Sequence, residues 1–487
     1  MNMIKARFLK HFYFITIIAV SLSFAENVPA YKSQCDSGTQ QDPFSIPQTA
    51  DSLQSFIDSS ENFYDEADTS ESGLDTSSQN STRDSLKTTP DSSKVQVQAK
   101  KHKHWASQKD IELYPGVNSE QDKYARQIVR SYFSLQWDDA QKAAEKMQRV
   151  EARDHLPRLS YLLMVSGRVF RLQNGEYEDQ KDYNQLVKEI YHLSQKGLQY
   201  SDPRNSPDSI LATNLLIYSG IKGFVATMKL SKNPIEAAME GLSALRVLEK
   251  LIEMKPQIKD AYLGLGIFYC ALSKAPGIIK SALNIGRRNI TLDTGLEFLR
   301  ISASEGRYTS PAAKQYLIQF LSPYYGHMAE EKIGIFKSLQ SDFPKNPNFV
   351  FLENEENLCF HQERITERYK QNLKKKIKSF KSGNYCLNRY INLLKWQYSS
   401  IDADNGDGLK PDSTFNLREY SFYPVYLEAL RYQLYISAGE NIQAERNHKQ
   451  LIAKKGNAAI KILESSEMSS HSKNVYLWHI RDVMRDK

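Results

Sequence analysis

From about residue 119 onward, apolar side chains recur every three or four positions, and the pattern persists almost to residue 487. That period is the signature of one face of an α-helix, whereas a half-buried strand alternates every second residue. No convincing strand alternation interrupts it. A chain with only helices must bury their apolar stripes against one another, so the pattern predicts an all-α fold. Short breaks of Gly, Asn, Asp or Pro set the predicted helices in pairs: 121–136 with 138–149, 158–173 with 183–200, 209–230 with 235–254, and 259–273 with 291–305. Further pairs are 311–320 with 329–343 and 349–360 with 362–380. A helix over 388–399 precedes a long loop through 415, then 423–438 pairs with 443–453, and 475–484 reads as a terminal helix. The spacing drifts from about 35 to over 45 residues, as in a degenerate helical repeat.

One stretch is more specific. Pro256 is followed by a helix carrying Tyr262, Leu265, Gly266 and Tyr269, and Pro276 follows it. The preceding helix carries Ala244, Leu248 and Leu251 before Pro256, which cannot continue a helix without a clash. The order large, Leu-Gly, Tyr resembles the first-helix signature of the tetratricopeptide (TPR) repeat, and Ala244, Leu248, Leu251 and Pro256 resemble its second-helix signature. The resemblance implies that Gly266 is the small position where the two helices of a hairpin approach, flanked by Tyr262 and Tyr269. Partial matches occur at Tyr124 with Ala140, Ala144 and Met147, at Tyr316 with Phe336, Leu339 and Pro344, and at Tyr435 with Ala444 and Leu451. The resemblance covers roughly 119–454 and implies a right-handed α-solenoid of degenerate TPR-like hairpins that binds other proteins without doing chemistry on them.

The N-terminus reads differently. Lys5, Arg7 and Lys10 precede an apolar run over 12–22, and Ser23-Phe24-Ala25 places small residues at the cleavage positions. This is the pattern of a signal peptide over 1–25, too short in its apolar run for a span of about 20 residues. Residues 26–118 form a Ser/Asp/Thr-rich segment with too few apolar side chains to offset chain entropy, so a disordered linker is expected. The helical-repeat domain then occupies 119–487. Export places the protein in the periplasm or at the outer membrane of a bacterial envelope.

Charge is uneven along the chain. The signal contributes three positive charges and residues 26–100 carry thirteen acidic against five basic side chains. With a net charge of +7, residues 101–487 therefore hold twelve excess positive charges. A basic body behind an acidic segment suits an anionic polymer or lipid surface, solubility alone, or contact between the two segments. Lys374, Lys375, Lys376, Lys378 and Lys381 form the densest basic run, but Leu373, Ile377 and Phe380 share one stripe and turn the lysines to solvent. Nucleic acid is not an expected partner of an exported chain.

No constellation of reactive residues stands out. Neither a His-Glu-x-x-His helix nor a Cys-x-x-Cys pair occurs, and Gly264-Leu265-Gly266 lacks the third glycine of a dinucleotide loop. The chain is therefore not expected to be an enzyme or to need a cofactor. Asp402, Asp404 and Asp407 form the best candidate for Ca²⁺, yet the glycines fall out of EF-hand order and Ser413 stands where the loop needs a closing Glu. A solvated turn is the ordinary alternative. Of the four cysteines, Cys359 and Cys386 flank a helix of about 20 residues, near 30 Å long, too far for a disulfide. Buried free thiols are expected there, while Cys35 lies in the linker.

Two further features bear on binding. Residues 274–289 replace the tight turn of an ordinary repeat and mix Ile278 and Ile279 with Lys280, Arg287 and Arg288. Such an insertion contacts a partner, lies on a membrane, or packs over its own groove. Tyr420, Tyr423, Tyr426, Tyr432 and Tyr435 crowd together, either as anchors for a ligand or as packing between helices. The expected function is an adaptor for an unidentified envelope protein.

Overall fold

The computed structural model describes residues 105, 112–173, 176–177, 180–229, 233–273, 290–321, 326–361, 364–401, 423, 425–427, 429, 455–464, 476–477, 479–481 and 483–484. Among these residues every regular element is helical, with no strand. The all-α class follows. The signal, most of the linker, the 274–289 insertion with Ile278, Ile279, Lys280, Arg287 and Arg288, and Asp402, Asp404 and Asp407 lie outside the described residues.

Thirteen labelled helices run in order: α1 (Ser119–Phe133), α2 (Trp137–Arg153), α3 (Leu159–Gln173), α4 (Gln180–Tyr200), α5 (Asp208–Lys229), α6 (Pro234–Met254), α7 (Ala261–Ser273), α8 (Leu292–Glu305), α9 (Ser310–Phe320), α10 (Gly326–Asp342), α11 (Pro347–Phe360), α12 (Glu367–Ser379) and α13 (Tyr385–Ile401). Residues 455–464 are also helical. The starts are set by side chains that satisfy the free amides of a first turn. Asn118, Asn233, Thr291, Asn346 and Thr366 each accept a backbone N–H from two or three residues downstream. Pro234 and Pro347 occupy the first helical position, where a missing N–H costs nothing.

The packing has a simple order. Most consecutive helices contact each other, and α1, α3, α5 and α7 also contact the next odd-numbered helix, as α11 contacts α13; α9 and α11 are in no comparable contact. No pair of even-numbered helices is in comparable contact among the described residues. From α1 to α9, first helices of successive pairs therefore pack on one another. The apolar α5 is long enough to cross a membrane by length and composition, but 56% of its apolar window is buried within the body, as befits a core helix.

Contacts also reach far beyond sequence neighbours. The turn after α1 sends Leu135, with φ of 59°, into the same apolar cluster as Leu358, Leu373, Leu393, Leu394 and Tyr423. Asn384 donates to the Leu135 carbonyl at 2.7 Å, and Asn346 donates to the Phe133 carbonyl at 2.8 Å. Phe133 meets Phe343 and Phe349 at ring distances of 5.4 and 6.5 Å. An idealised one-dimensional stack touches only its neighbours; here α1 is also tied to α10, α11 and the start of α13.

Ordered packing begins before residue 119. Trp105, Tyr114 and Val117 are buried, and Thr213 donates to the Pro115 carbonyl at 2.6 Å. The last part of the segment read as linker belongs to the folded body, because two aromatic side chains there are removed from water.

Candidate functional site

The hairpin singled out by sequence is built around two glycines. A Cβ on Gly266 would lie 2.7 Å from Leu299 Cγ and 2.9 Å from its backbone nitrogen. One on Gly295 would lie 2.7 Å from the backbone nitrogen of Cys270. Each glycine thus faces the backbone of the other helix, and α7 and α8 approach more closely than any side chain there allows. Leu265, Ala244, Leu248 and Leu251 are buried beside this contact, while Pro256 is exposed at the turn. Tyr262 and Tyr269 clasp Phe298 from two sides, with ring distances of 5.7 and 5.2 Å in edge-on geometry. Tyr269 also donates to Glu249 at 3.2 Å. The structure brings all of these positions except Pro256 into one packing unit, and adds Gly295 and Phe298, which the repeat signature does not specify.

The Asp260 carboxylate, buried at the start of α7, accepts the amides of Tyr308 and Thr309 at 3.0 and 3.1 Å and the Thr309 hydroxyl at 2.7 Å. It therefore caps the entry to α9 from a distant part of the chain. Burial raises its pKa, against the lowering effect of these donors.

Beside that cap lies a socket. Arg307 Nε donates to Asp122 Oδ1 at 2.6 Å, and the Tyr308 hydroxyl donates to the same oxygen at 2.8 Å. Burial pushes the Asp122 carboxyl up, but the hydrogen bonds from Arg307 and Tyr308 outweigh it and hold the group low. The Arg307 carbonyl accepts the indole N–H of Trp105 at 3.0 Å, and Asp342 accepts the Trp105 amide at 3.1 Å. Phe343 lies against the indole at 5.9 Å, and the Arg130 guanidinium stands 5.9 Å from its centroid. Lys314, wholly buried, donates to Ser338 at 2.8 Å and to Asp342 at 3.3 Å. Burial lowers its pKa and Asp342 opposes that. Trp105 belongs to none of the labelled helices.

A small cavity of about 60 Å³ lies between the α3–α4 connection and the start of α13, lined by Trp137, Arg171, Glu176, Asp182 and Cys386 among others. Glu176 is fully buried and neither carboxylate oxygen has a hydrogen-bond partner. Burial pushes its pKa up to about 8, with Arg389 and Arg171 pulling the other way. Arg171 stacks over Trp137 at 5.1 Å and pairs with Asp182 at 3.4 Å.

Of the tyrosine cluster, Tyr423 and Tyr426 are described and fully buried; Tyr420, Tyr432 and Tyr435 are not described. Both described hydroxyls donate to Glu355, at 2.6 and 2.8 Å, and Gln397 donates to it at 2.6 Å. The Cys359 thiol lies 2.9 Å from the Tyr426 hydroxyl; burial and then the Glu355 charge push its pKa well up, away from a reactive thiolate. Cys270 and Cys386 are buried as well. Among the described residues no group of three metal-ligating side chains converges. On α12 and just after it, Leu373 and Ile377 are buried and Lys375, Lys378 and Lys381 are exposed, but Lys374 and Lys376 are half-buried, and Lys376 turns inward to donate to Gln340.

Compared with known proteins, the chain matches no family model, no curated protein and no solved structure.

Proposed function

We propose that the chain is a non-enzymatic binding scaffold, a right-handed α-solenoid of degenerate TPR-like hairpins that acts as an adaptor in a bacterial envelope. The observation that carries this reading is the packing of odd-numbered helix on odd-numbered helix from α1 to α9, with Gly266 and Gly295 closing one hairpin. Hairpins packed in this way offer a row of first helices from α1 to α9, a surface suited to an extended or helical partner segment. The signal-like N-terminus supports export to the periplasm or outer membrane. The partner is an envelope protein held without a covalent step. Affinity purification of the tagged chain from its native envelope, with mass spectrometry, tests this. A stoichiometric protein partner supports the adaptor, and recovery of membrane or cell-wall material alone overturns it.

A second reading rests on a separate observation. Lys375, Lys378 and Lys381 are exposed together on or next to α12, on a body with excess positive charge. Such a face suits an anionic envelope polymer or lipid surface. Sedimentation with anionic vesicles that fails at high salt supports it, and no sedimentation at low salt removes it.

A further inference from the structure

We propose that the cavity beside Glu176 is a binding site for a primary carboxamide, the group that ends a small free amide or a glutamine side chain. The inference stands apart from the adaptor reading.

Of the residues lining the cavity, Glu176 and Cys386 are buried and Asn384 is exposed, so the cavity runs from the surface inward to Glu176. Its volume of about 60 Å³ admits the carbon, oxygen and nitrogen of an amide. Neither oxygen of the Glu176 carboxyl has a hydrogen-bond partner among the described residues. The buried Trp137 indole N–H has none of ordinary geometry there, its neighbour being the Cys386 thiol, a weak acceptor. Buried polar atoms without partners are costly, so these three define what a ligand has to offer. The Glu176 backbone is held without a ligand: its N–H donates to the Arg171 carbonyl at 2.8 Å, and its own carbonyl accepts Arg171 Nε at 3.3 Å. A site fixed in advance spares a ligand the cost of ordering it.

The charges around the cavity select the class of ligand. Arg171 of α3 pairs with Asp182 of α4 and lies over the Trp137 ring, and Arg389 of α13 acts on Glu176 as a second cation. Burial, then the Glu176 charge, push the Cys386 thiol up to about 12, so it stays neutral. Tyr177 and Tyr385 complete the wall. With two guanidinium groups at hand, a cationic ligand is disfavoured. Burial keeps the proton on Glu176 up to about pH 8, and a protonated carboxyl is a donor and an acceptor side by side. An ammonium ligand only donates and a carboxylate only accepts, so each leaves one Glu176 oxygen unmet. A primary carboxamide carries N–H and C=O in one plane and meets both oxygens in two parallel hydrogen bonds. The second lone pair of its carbonyl then faces a donor such as the Trp137 N–H.

The experiment titrates propionamide into the full chain carrying isotope-labelled tryptophan and follows the indole N–H signals by NMR, with Trp137 assigned by its loss in Trp137→Phe. A saturating shift of the Trp137 signal is expected, with a Kd on the order of 1–10 mM for a ligand of about five heavy atoms. Glu176→Leu should abolish it. Wild-type binding should hold from about pH 6 to 8 and then weaken by close to tenfold per pH unit, as Glu176 loses the proton it donates. Glu176→Gln keeps a donor and an acceptor and should bind equally at every pH, which decides the matter should Glu176→Leu fail to fold. No saturating shift, an undiminished shift in folded Glu176→Leu, wild-type affinity that ignores pH, or tighter binding of propylammonium or propionate overturns the proposal. A second titration with N-acetylglutamine N-methylamide, whose primary amide is in its side chain alone, separates the two sources. Binding of both compounds supports a glutamine side chain, and binding of propionamide alone supports a free small amide. A co-purifying envelope protein without amide binding removes this site and leaves the adaptor, whereas amide binding without such a protein does the reverse.

Discussion

Arg307 and Asp122 stand 185 residues apart in sequence and 2.6 Å apart in space. Their ion pair joins the first helix of the body to the connection between α8 and α9. Arg307 is 4% exposed and Asp122 13%, so water screens the pair little. Removing one partner leaves the other charge buried. Arg307→Ala is expected to cost about 3 kcal/mol, and the double variant with Asp122→Ala less than the sum of the two singles. Urea unfolding of the four chains measures this. Additive single losses would mean that the pair does not couple these segments.

Gly266 and Gly223 make opposite predictions for the same substitution. A Cβ at 266 meets the Leu299 backbone at 2.9 Å, so α7 and α8 must separate, and Gly266→Ala should destabilise by about 1–3 kcal/mol. At Gly223, inside α5, nothing lies within 4 Å of the added carbon. Gly223→Ala should stabilise by about 0.5–1 kcal/mol through helix propensity alone. Thermal unfolding of both variants decides it, and loss of stability at 223 would contradict the packing described.

That contrast shows what was legible in the sequence. The helices were, because period, caps and prolines are local signals: Asn233-Pro234 and Asn346-Pro347 mark their helix starts without tertiary information. Gly266 stands in a spacing that resembles a repeat signature, and a Cβ there would meet the Leu299 backbone at 2.9 Å. Gly295 was not legible, because nothing in its own helix distinguishes it from a tolerated glycine. Asp260 reads locally as a turn residue, and its role as a cap exists only once Tyr308 and Thr309 reach it. Trp105 sits next to a Lys- and His-rich run, and burial there depends on Arg307 and Asp342, more than 200 residues away. The expected boundary at residue 119 missed Trp105 and Tyr114 because the 3.6-residue period is silent about residues outside α-helices that pack.

Asp260→Ala should remove three acceptor contacts from buried or partly buried donors at once. The expected loss is about 2–4 kcal/mol, more than an exposed cap costs, because the amides it leaves are out of water. Hydrogen exchange should rise first at residues 308–313. Unchanged protection there would show that α9 does not depend on this carboxylate.

Glu176 predicts a pH dependence. A glutamate in the unfolded chain titrates near 4.5, and in the fold near 8. Below pH 4.5 both states hold the proton and no penalty exists. Between 4.5 and 8 the unfolded chain has lost it and the folded chain keeps it, so stability falls as pH rises, and above 8 the fall stops. At pH 7 the penalty is on the order of 3 kcal/mol. Glu176→Gln should therefore be more stable than wild type at pH 7–8, with the gain vanishing by pH 4. Parallel stability profiles for the two chains across that range would refute the burial of this acid.

The measurement that tests the scaffold reading most directly is the salt dependence of what the full chain retains from its native envelope. Groove binding buries apolar and aromatic anchors, and exposed charges contribute little once the Debye length falls to about 3 Å near 1 M salt. The account predicts one protein partner, near equimolar with the chain and still bound at that salt. Loss of all protein at high salt, with lipid or cell-wall polymer as the main low-salt ligand, would contradict it.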